Sequence, residues 1–171
     1  MNNKLIFSKL RDVKSPIRAH ATDAGIDFFI PNDINERDID KSLDATGTIL
    51  IFDFKTNSIM IPPHGSALIP SGLKVIVPEG YALIFFNKSG VATNKHLLRG
   101  ACVVDHGFQG EVLFNMNNVS SDYVELKVGT KLIQGLLIPI GYHEPFEVDD
   151  IMNYTDQSER GEGGFGSSGT N

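Results

Sequence analysis

Short apolar runs, most of them separated by glycine, proline or asparagine, are the feature that most constrains the fold of this chain. No segment shows convincing helical periodicity over three turns. Many short strands separated by turn residues are typical of a β-sandwich or a β-barrel, so the sequence predicts an all-β fold. The predicted strands cover residues 4–7, 26–30, 49–54, 58–61, 67–69, 73–77, 81–86, 101–104, 112–116, 123–126 and 132–138. The stretch after Ser89 is predicted to hold one short helical turn or a long loop.

The segment 31–57 interrupts this pattern. Its first part, up to residue 48, is polar, charged and rich in turn-forming residues. We interpret 31–57 as an insertion that consists of a loop followed by a possible hairpin of residues 49–54 and 58–61. After Gly141 the alternation is lost and the chain becomes acidic. We therefore predict one β domain, a sandwich or a barrel, at 1–150 and a C-terminal arm at 151–171.

Length and composition restrict the broad class of the protein. A chain of 171 residues with 41% hydrophobic and 21% charged residues fits one ordinary globular domain, or one domain with a tail. Apolar runs such as 82–86 are too short to span a membrane, and the N-terminus lacks the apolar core of a signal peptide. The single cysteine, Cys102, fits a reducing compartment. We expect a cytoplasmic protein, or one in the host cytoplasm if it is viral, with no membrane partner.

The overall charge argues against a nucleic-acid partner. The net charge is −6 at pH 7 and the pI is near 5.3, whereas proteins that bind a duplex carry a basic surface. A small anion is compatible with this balance, because a local group of donors can bind it whatever the net charge.

The residues 160–171 are the strongest chemical signal. They contain Arg160, five glycines, Phe165 and three hydroxyl side chains, of which Ser167 is the first. Glycines let consecutive N–H groups face an anion, and arginine and hydroxyl groups donate to phosphate oxygens. A phenylalanine ring offers a flat face for a base. This pattern predicts a tail that closes over a nucleotide, and the alternative is a plain Gly/Ser linker.

Two segments place polar residues beside predicted strands in the first half of the chain. Residues 21–27 end in Asp27 at a strand entrance, which is also what ordinary turn chemistry produces. Residues 87–90 end another strand with Lys88, Ser89 and Gly90. A lysine and a glycine-containing turn can bind an anion, although each segment taken alone is better explained as a turn.

Two further segments lie in the second half. In 100–111, Asp105 follows an apolar strand, where a carboxylate can take a proton from water, and Phe108 lies within reach of a flat ligand. The alternative is an aspartate that caps a hairpin. In 129–134, Gln134 lies within an apolar strand, where an amide must find a partner or face outward.

Several other chemistries are disfavoured. Cys102 is best explained as a small buried hydrophobic residue. The five histidines show no spacing of metal ligands, so a zinc site is not expected. The glycine-rich tail lacks the Gly-Lys-Ser/Thr of a P-loop, and no strand directly precedes it.

These five segments, in this order, resemble the five motifs of the trimeric dUTP diphosphatases (dUTPases). The corresponding ranges are 21–27, 87–90, 100–111, 129–134 and 160–169. The resemblance extends from about residue 15 to the end and excludes the insertion 31–57. It implies a jelly-roll-like, distorted β-barrel that forms a homotrimer with exchange of the C-terminal arm. It also implies hydrolysis of dUTP to dUMP and diphosphate by attack of water on the α-phosphate.

The resemblance also assigns roles to residues. Asp105 matches the carboxylate that activates the water, and Asp27 matches a position that supports the site. Phe108 matches an aromatic ring under the deoxyribose, and the backbone of 99–103 matches the hairpin that reads uracil. Mg²⁺ is expected to be held mainly by the substrate phosphates and water, with no direct protein ligand. The expected substrate-binding residues are Lys88, Ser89, Gly90, Gly100, Val103, Phe108, Gln134, Arg160, Phe165, Gly166 and Ser167.

Three positions depart from the patterns of related enzymes. Lys88 stands where arginine is usual, and lysine lacks the planar guanidinium that donates two parallel hydrogen bonds to a phosphate. Phe108 stands where tyrosine is usual. The related dCTP deaminases have a catalytic glutamate where this chain has Asn115, which argues against deamination. Two alternatives stay open: a deaminase-like or bifunctional enzyme, and a non-catalytic binding or signalling protein that uses the insertion as its contact surface.

Overall fold

The computed structural model describes residues 4–155 and Gly161. The chain separates into two compact units, one that ends at Gly141 and one that begins at Tyr142. In the described residues, every strand and both α-helices belong to the first unit, whereas the second contains one short 3₁₀ helix, Ile151–Asn153. The proposed division into a domain 1–150 and an arm 151–171 stays a prediction.

The first unit is built mainly of short strands with two short helices. The strands in chain order are β1 (Ile6–Lys9), β2 (Ile26–Phe29), β3 (Ile51–Asp53), β4 (Ser58–Ile61), β5 (Ser66–Pro70), β6 (Leu73–Ile76), β7 (Tyr81–Asn87), β8 (Leu97–Arg99), β9 (Val103–Val104), β10 (Leu113–Asn118), β11 (Val124–Lys127) and β12 (Lys131–Pro139). The helices are α1 (Glu36–Thr46) and α2 (Ser89–Lys95). The predicted all-β class is therefore confirmed.

The strands form four antiparallel sheets in the described chain. A four-stranded sheet has the order β2-β12-β7-β9, and two three-stranded sheets have the orders β5-β10-β8 and β11-β4-β3. Strands β1 and β6 pair alone. Side chains of β10 alternate between buried and half-buried positions, as expected for strands with one face on a core.

The core brings the four-stranded sheet and β10 together through aromatic side chains. The Phe28 and Phe85 rings meet edge-to-face with centroids 5.0 Å apart, and Phe114 lies 5.3 Å from Phe85. Gly135 of β12 leaves the room that these rings need, because a Cβ there would lie 2.9 Å from the Phe28 ring. The packed aromatic residues fix where the polar ends of β2, β7 and β12 lie.

The first part of the insertion is a helix, and the prediction of a loop there is wrong. Asn35 and Asp38 form a reciprocal capping box at the start of α1, and Gly47 ends it with a left-handed φ of 68°. The pattern was missed because the buried face of the helix includes a serine: the Ser42 hydroxyl accepts from the Leu68 N–H at 2.9 Å. The helix thus covers the edge strand β5 with a polar contact, which hydrophobic periodicity cannot detect.

Other boundaries also differ from the prediction. The hairpin of the insertion is confirmed, because β3 and β4 pair antiparallel. Strand β8 was not predicted, and β9 is shorter than the predicted strand 101–104 because only Val103 and Val104 pair with β7. Helix α2 corresponds to the short helical turn allowed after Ser89. No helix within residues 4–155 combines the length and hydropathy that a membrane crossing needs.

Candidate active site

One end of the four-stranded sheet carries a buried carboxylate between two lysines. Asp27 of β2 is only 5% exposed. Its Oδ2 lies 2.7 Å from the Nζ of Lys131, and its Oδ1 accepts a hydrogen bond from the Nζ of Lys88. A register shift in β12 just after Lys131 accompanies this arrangement. We call Asp27, Lys88 and Lys131 the lysine–aspartate cluster.

The two lysines keep Asp27 ionised. Burial raises the pKa of this carboxyl, but hydrogen bonds and charges from Lys131 and Lys88 outweigh burial, so the pKa lies below its ordinary value. Two ammonium groups against one carboxylate leave a formal excess of one positive charge at neutral pH. The cluster can therefore hold its own geometry and still attract an anion.

Asp27→Asn should destabilise the protein at neutral pH and much less in acid. The lowered pKa means that Asp27 stabilises the fold above the ordinary carboxyl pKa, about 3.9, and that this stabilisation is lost as the pH falls through the lower folded value. Loss of a charged hydrogen-bond partner costs about 1–3 kcal/mol. Urea unfolding at one protein concentration, at pH 7 and then in steps of falling pH well below the ordinary carboxyl pKa, measures the effect.

The matched control for this prediction is Asp40→Asn, at an exposed position of α1. We expect its unfolding curve to follow the wild type at both pH values. A cost for Asp27→Asn that stays the same in acid would show that the carboxylate charge is not the stabilising feature.

A second group of contacts joins β12, β7 and β8 near the same end of the sheet. The Gln134 Nε2 donates to the carbonyl oxygen of Asn87 at 2.9 Å. The Oδ1 of Asn87 accepts from the Arg99 N–H at 2.7 Å. Gly25 gives the Gln134 amide room in this position, because a Cβ would lie 2.2 Å from its Oε1 and the side chain would have to move. Asn87 therefore links the motif of Gln134 to the hairpin that begins at Arg99.

Lys88, Ser89 and Gly90 lie where β7 passes into α2. Lys88 is the N-cap residue of α2, and its carbonyl accepts the first helical hydrogen bond, from Ala92 at 2.9 Å. The N–H groups of Ser89 and Gly90 precede that bond and have no acceptor within the helix. A Cβ added at Gly90 would meet no atom within 4 Å, so the backbone is open to a ligand here.

The hairpin after β8 is tightly packed at one residue and open at another. The Gly100 N–H donates to the Asn115 carbonyl at 2.8 Å, and a Cβ on Gly100 would collide with the Asn115 side chain. Val103 is 56% exposed, so its outer face is accessible. The hairpin thus offers backbone groups and a small apolar surface together.

Asp105 and Phe108 belong to a turn that follows β9. The carboxylate of Asp105 is exposed, and the Phe108 N–H donates to the Asp105 carbonyl at 3.3 Å. Gly107 has φ 88°, which an L side chain rarely adopts. The Phe108 ring is 47% exposed and lies over Gly110, where a Cβ would approach the ring to 2.6 Å. One turn therefore presents both an exposed carboxylate and an exposed aromatic ring.

Strand register separates Asp105 from the lysine–aspartate cluster within one chain. Val104 pairs with Leu83, so Asp105 is level with Ala82, and Lys88 lies six positions further along β7. At about 3.3 Å per residue, the two levels are ~20 Å apart. Within one chain, Asp105 and the lysine–aspartate cluster thus lie at different levels of the sheet, and the hairpin 99–103 runs along β7 between them.

Two residues of the candidate site, Lys131 of the lysine–aspartate cluster and Asn87, were not predicted from the sequence. Lys131 lies in the segment singled out for Gln134, and Asn87 directly precedes Lys88. Their roles depend on the pairing of β12 with β2 and β7, so the only sequence signal was a polar residue at a strand end. The predicted residues Arg160, Phe165, Gly166 and Ser167 lie outside the described residues.

The structure gives no protein-built metal site within the described residues. In residues 4–155 and Gly161, no three side chains of His, Cys, Asp or Glu converge as a metal site would require. Asp27, the buried carboxylate of the candidate site, is already bonded to two lysines.

Comparisons with known proteins identify the family. The sequence model of the dUTPase family matches residues 48–169. The deoxyuridine 5'-triphosphate nucleotidohydrolase of Candida albicans is 34% identical over 118 residues, which cover 69% of this chain and 73% of that protein. The Arabidopsis thaliana enzyme is 37% identical over 109 residues, 64% of this chain and 63% of that protein. The Hydrogenobaculum enzyme is 27% identical over 169 residues, 97% of this chain and 98% of that protein.

Solved structures show the same fold. The Staphylococcus bacteriophage 80alpha dUTPase with dUpNHpp has a TM-score of 0.75 at 24% identity and covers 99% of this chain and 100% of that chain. A mutant dUTPase of phage phi11 of S. aureus, described with a structural Mg(II) ion, has a TM-score of 0.65 at 22% identity. It covers 86% of this chain and 98% of that chain.

Fold and site together define a class of protein: a jelly-roll-like β domain that presents an exposed carboxylate, an aromatic face and a cationic cluster. Within this class, the chain belongs to the dUTPase family. The predictions of the family and of the jelly-roll-like fold are confirmed.

Proposed function

We propose that the protein hydrolyses dUTP to dUMP and diphosphate, with Asp105 activating the water that attacks the α-phosphorus. The observation that carries this proposal is the single turn that presents both the exposed Asp105 carboxylate and the exposed Phe108 ring. The family match supports it, because residues 48–169 include this turn, Gln134 and the glycine-rich tail. The relatives from Candida albicans, Arabidopsis thaliana and Hydrogenobaculum carry the name of this activity.

In this proposal, the turn and the preceding hairpin bind the nucleoside. The Asp105 carboxylate accepts a proton from water as the water attacks, which is general-base catalysis. Phe108 lies under the deoxyribose and leaves no room for a 2′-hydroxyl. Backbone groups around Gly100, together with the exposed Val103, read the edge of uracil. A pyrimidine with a mismatched edge is rejected because it leaves buried polar groups unpaired.

The phosphate chain is bound by the other group of residues. Lys88 adds positive charge, and the N–H groups of Ser89 and Gly90 have no helical acceptor. Gln134 donates one amide hydrogen to Asn87, which leaves its second hydrogen for a phosphate oxygen. Lys131 adds a second cation, so the net positive cluster offsets charge that develops on the phosphates.

The C-terminal tail supplies further residues to the proposed site, and the substrate brings the Mg²⁺ ion. Arg160 and Ser167 hold the distal phosphates, and Phe165 stacks on uracil. Gly166 has no side chain, so the backbone of the tail can approach the nucleotide closely. As the family resemblance implies, Mg²⁺ enters with the triphosphate and its waters, and we assign it no protein ligand. When bound, the ion supplies positive charge to the phosphate chain.

The proposed assembly is a homotrimer in which different chains supply the parts of each site. The separation of ~20 Å along β7 supports this, because Asp105 and Lys88 cannot both contact one α-phosphate from the same chain. Cyclic symmetry gives three equivalent sites, each closed by an exchanged C-terminal arm.

Product analysis on a panel of nucleotides tests the function. The protein is incubated with dUTP, UTP, dTTP and dCTP in the presence of Mg²⁺, and the products are separated by chromatography. We expect dUMP and diphosphate from dUTP and little reaction with the others. Ammonia and a deoxyuridine product from dCTP would instead identify a deaminase. Asn115 argues against that outcome, since its amide cannot act as a carboxylate base and packs against Gly100.

Phe108→Ala should relax the discrimination between dUTP and UTP. Removal of the ring takes away the steric floor under the sugar, and one such apolar contact typically contributes about 10- to 200-fold in selectivity. We expect the ratio of kcat/KM for dUTP to that for UTP to fall at least tenfold. Phe108→Tyr keeps the ring and is the matched control. An unchanged ratio in Phe108→Ala would show that the ring does not meet the sugar.

A further inference from the structure

The turn that carries Asp105 and Phe108 has few connections to the rest of the domain. Its internal bond runs from the Phe108 N–H to the Asp105 carbonyl. In the described part of the chain, one hydrogen bond joins residues 105–110 to another element, and it comes from His106. The geometry of the two functional side chains therefore depends on that contact.

The contact joins the His106 ring to the backbone carbonyl of the buried residue Val77. The Nδ1 of His106 lies 2.8 Å from the carbonyl oxygen of Val77. Val77 is buried and lies between the end of β6 and the turn that closes with the Tyr81 N–H on the Pro78 carbonyl. A carbonyl oxygen only accepts, so the Nδ1 carries a hydrogen and donates it. The same bond forms in the neutral and the protonated ring.

The other side of the turn borders a cavity in the single chain. This cavity of about 460 Å³ lies between the turn and the β1–β6 pair. It is bordered by Phe7, Lys74 and Val75 on one side and by His106 and Phe108 on the other. In the single chain, the bond from His106 to Val77 is therefore the one described hydrogen bond that connects this side of the turn to the rest of the domain.

We propose that His106 is a positioning residue that holds Asp105 and Phe108 in their working positions through its bond to Val77. This inference rests on the proposed role of Asp105 as the base. His106 acts through its neighbours and touches no reacting atom. Displacement of a catalytic group by about 1 Å can cost ~100-fold in rate, so loss of the tether lowers turnover without removing any catalytic group.

Three substitutions at one position test the tether. Asparagine places its amide nitrogen close to the position of the histidine Nδ1, whereas glutamine places it one bond further out. We expect His106→Ala and His106→Gln to lower kcat for dUTP about 5- to 50-fold, with a smaller change in KM. His106→Asn should restore kcat to within about threefold of the wild type. His20→Ala, at another exposed histidine, is the control and should leave kcat unchanged.

Two measurements that do not depend on turnover accompany the kinetics. Nitrogen-15 NMR of the full-length protein should show a hydrogen on the His106 Nδ1. Amide hydrogen exchange in residues 105–110 should be faster in the alanine and glutamine variants and wild-type-like in the asparagine variant. Wild-type kcat in His106→Ala, or equal kcat in the asparagine and glutamine variants, would overturn the proposal.

The same experiment separates this inference from the proposed function. Asp105→Asn keeps His106 intact. In this variant the His106 ring should still carry a hydrogen on Nδ1, and the amides of residues 105–110 should exchange at the wild-type rate. A fully active Asp105→Asn variant would overturn the role of Asp105 and, with it, the positioning role of His106. If amide exchange in residues 105–110 still becomes faster when His106 is replaced by alanine, the bond from His106 to Val77 is established as a structural contact of the turn.

Discussion

Asp105→Asn should lower kcat for dUTP by about 10²- to 10⁴-fold, the range that general-base catalysis typically contributes. The amide keeps the size of the carboxylate but cannot accept the proton of the attacking water. Asp105 is exposed and its carboxylate makes no hydrogen bond to the described residues, so the fold should not depend on it. Single-turnover hydrolysis measures the loss, and thermal unfolding checks that the variant is folded.

The matched control is Asp122→Asn. The Asp122 side chain is also exposed, and the hydrogen bonds of this residue come from its backbone. Its turnover should equal that of the wild type. Asp105→Asn turnover within about threefold of the wild type would remove Asp105 from the mechanism, since a base contributes at least about 100-fold.

Mixed assemblies should recover activity when the two parent variants lose different parts of the site. One parent carries Asp105→Asn, and the other ends after Glu159 and lacks Arg160, Phe165, Gly166 and Ser167. Each parent alone should be nearly inactive, because the first lacks the base and the second lacks donors that typically contribute about 10²- to 10³-fold. In the proposed homotrimer, base and tail come from different chains.

The expected recovery can be calculated from random assortment. In an equal mixture, about a quarter of the sites combine an intact Asp105 from one chain with an intact tail from another. Mixtures that have exchanged subunits should therefore approach a quarter of wild-type turnover. Native mass spectrometry confirms mixing and counts the chains. Confirmed mixing without recovered activity would mean that each chain closes its own site.

The insertion shows why local sequence patterns detected some elements and missed others. The hairpin of β3 and β4 was predicted because its strands are apolar and a turn separates them. Helix α1 was missed because Ser42 faces the edge of β5, where a hydroxyl is useful and an apolar residue is not. Its capping residues, Asn35 and Asp38, were the local signal that a helix begins there.

The sequence by itself determined the β class, the order of the five motifs and the residue types that the chemistry needs. These depend on short-range features: apolar runs, turn residues, and side chains that neighbour one another in the chain. Asp105 and Phe108 belong to this category, because one turn carries both of them. The family match at residues 48–169 confirms the predicted family, and the roles of Asp105 and Phe108 stay predictions.

Only the tertiary structure decided how these motifs relate in space. The contact of Lys131 with Asp27 and that of Asn87 with Gln134 exist because β12 lies between β2 and β7, and no local pattern specifies strand neighbours. The separation of Asp105 from Lys88 follows from the register of β9 on β7. Strand order and register arise from packing of residues far apart in the chain, such as Phe28, Phe85 and Phe114, so they appear only when the core is assembled.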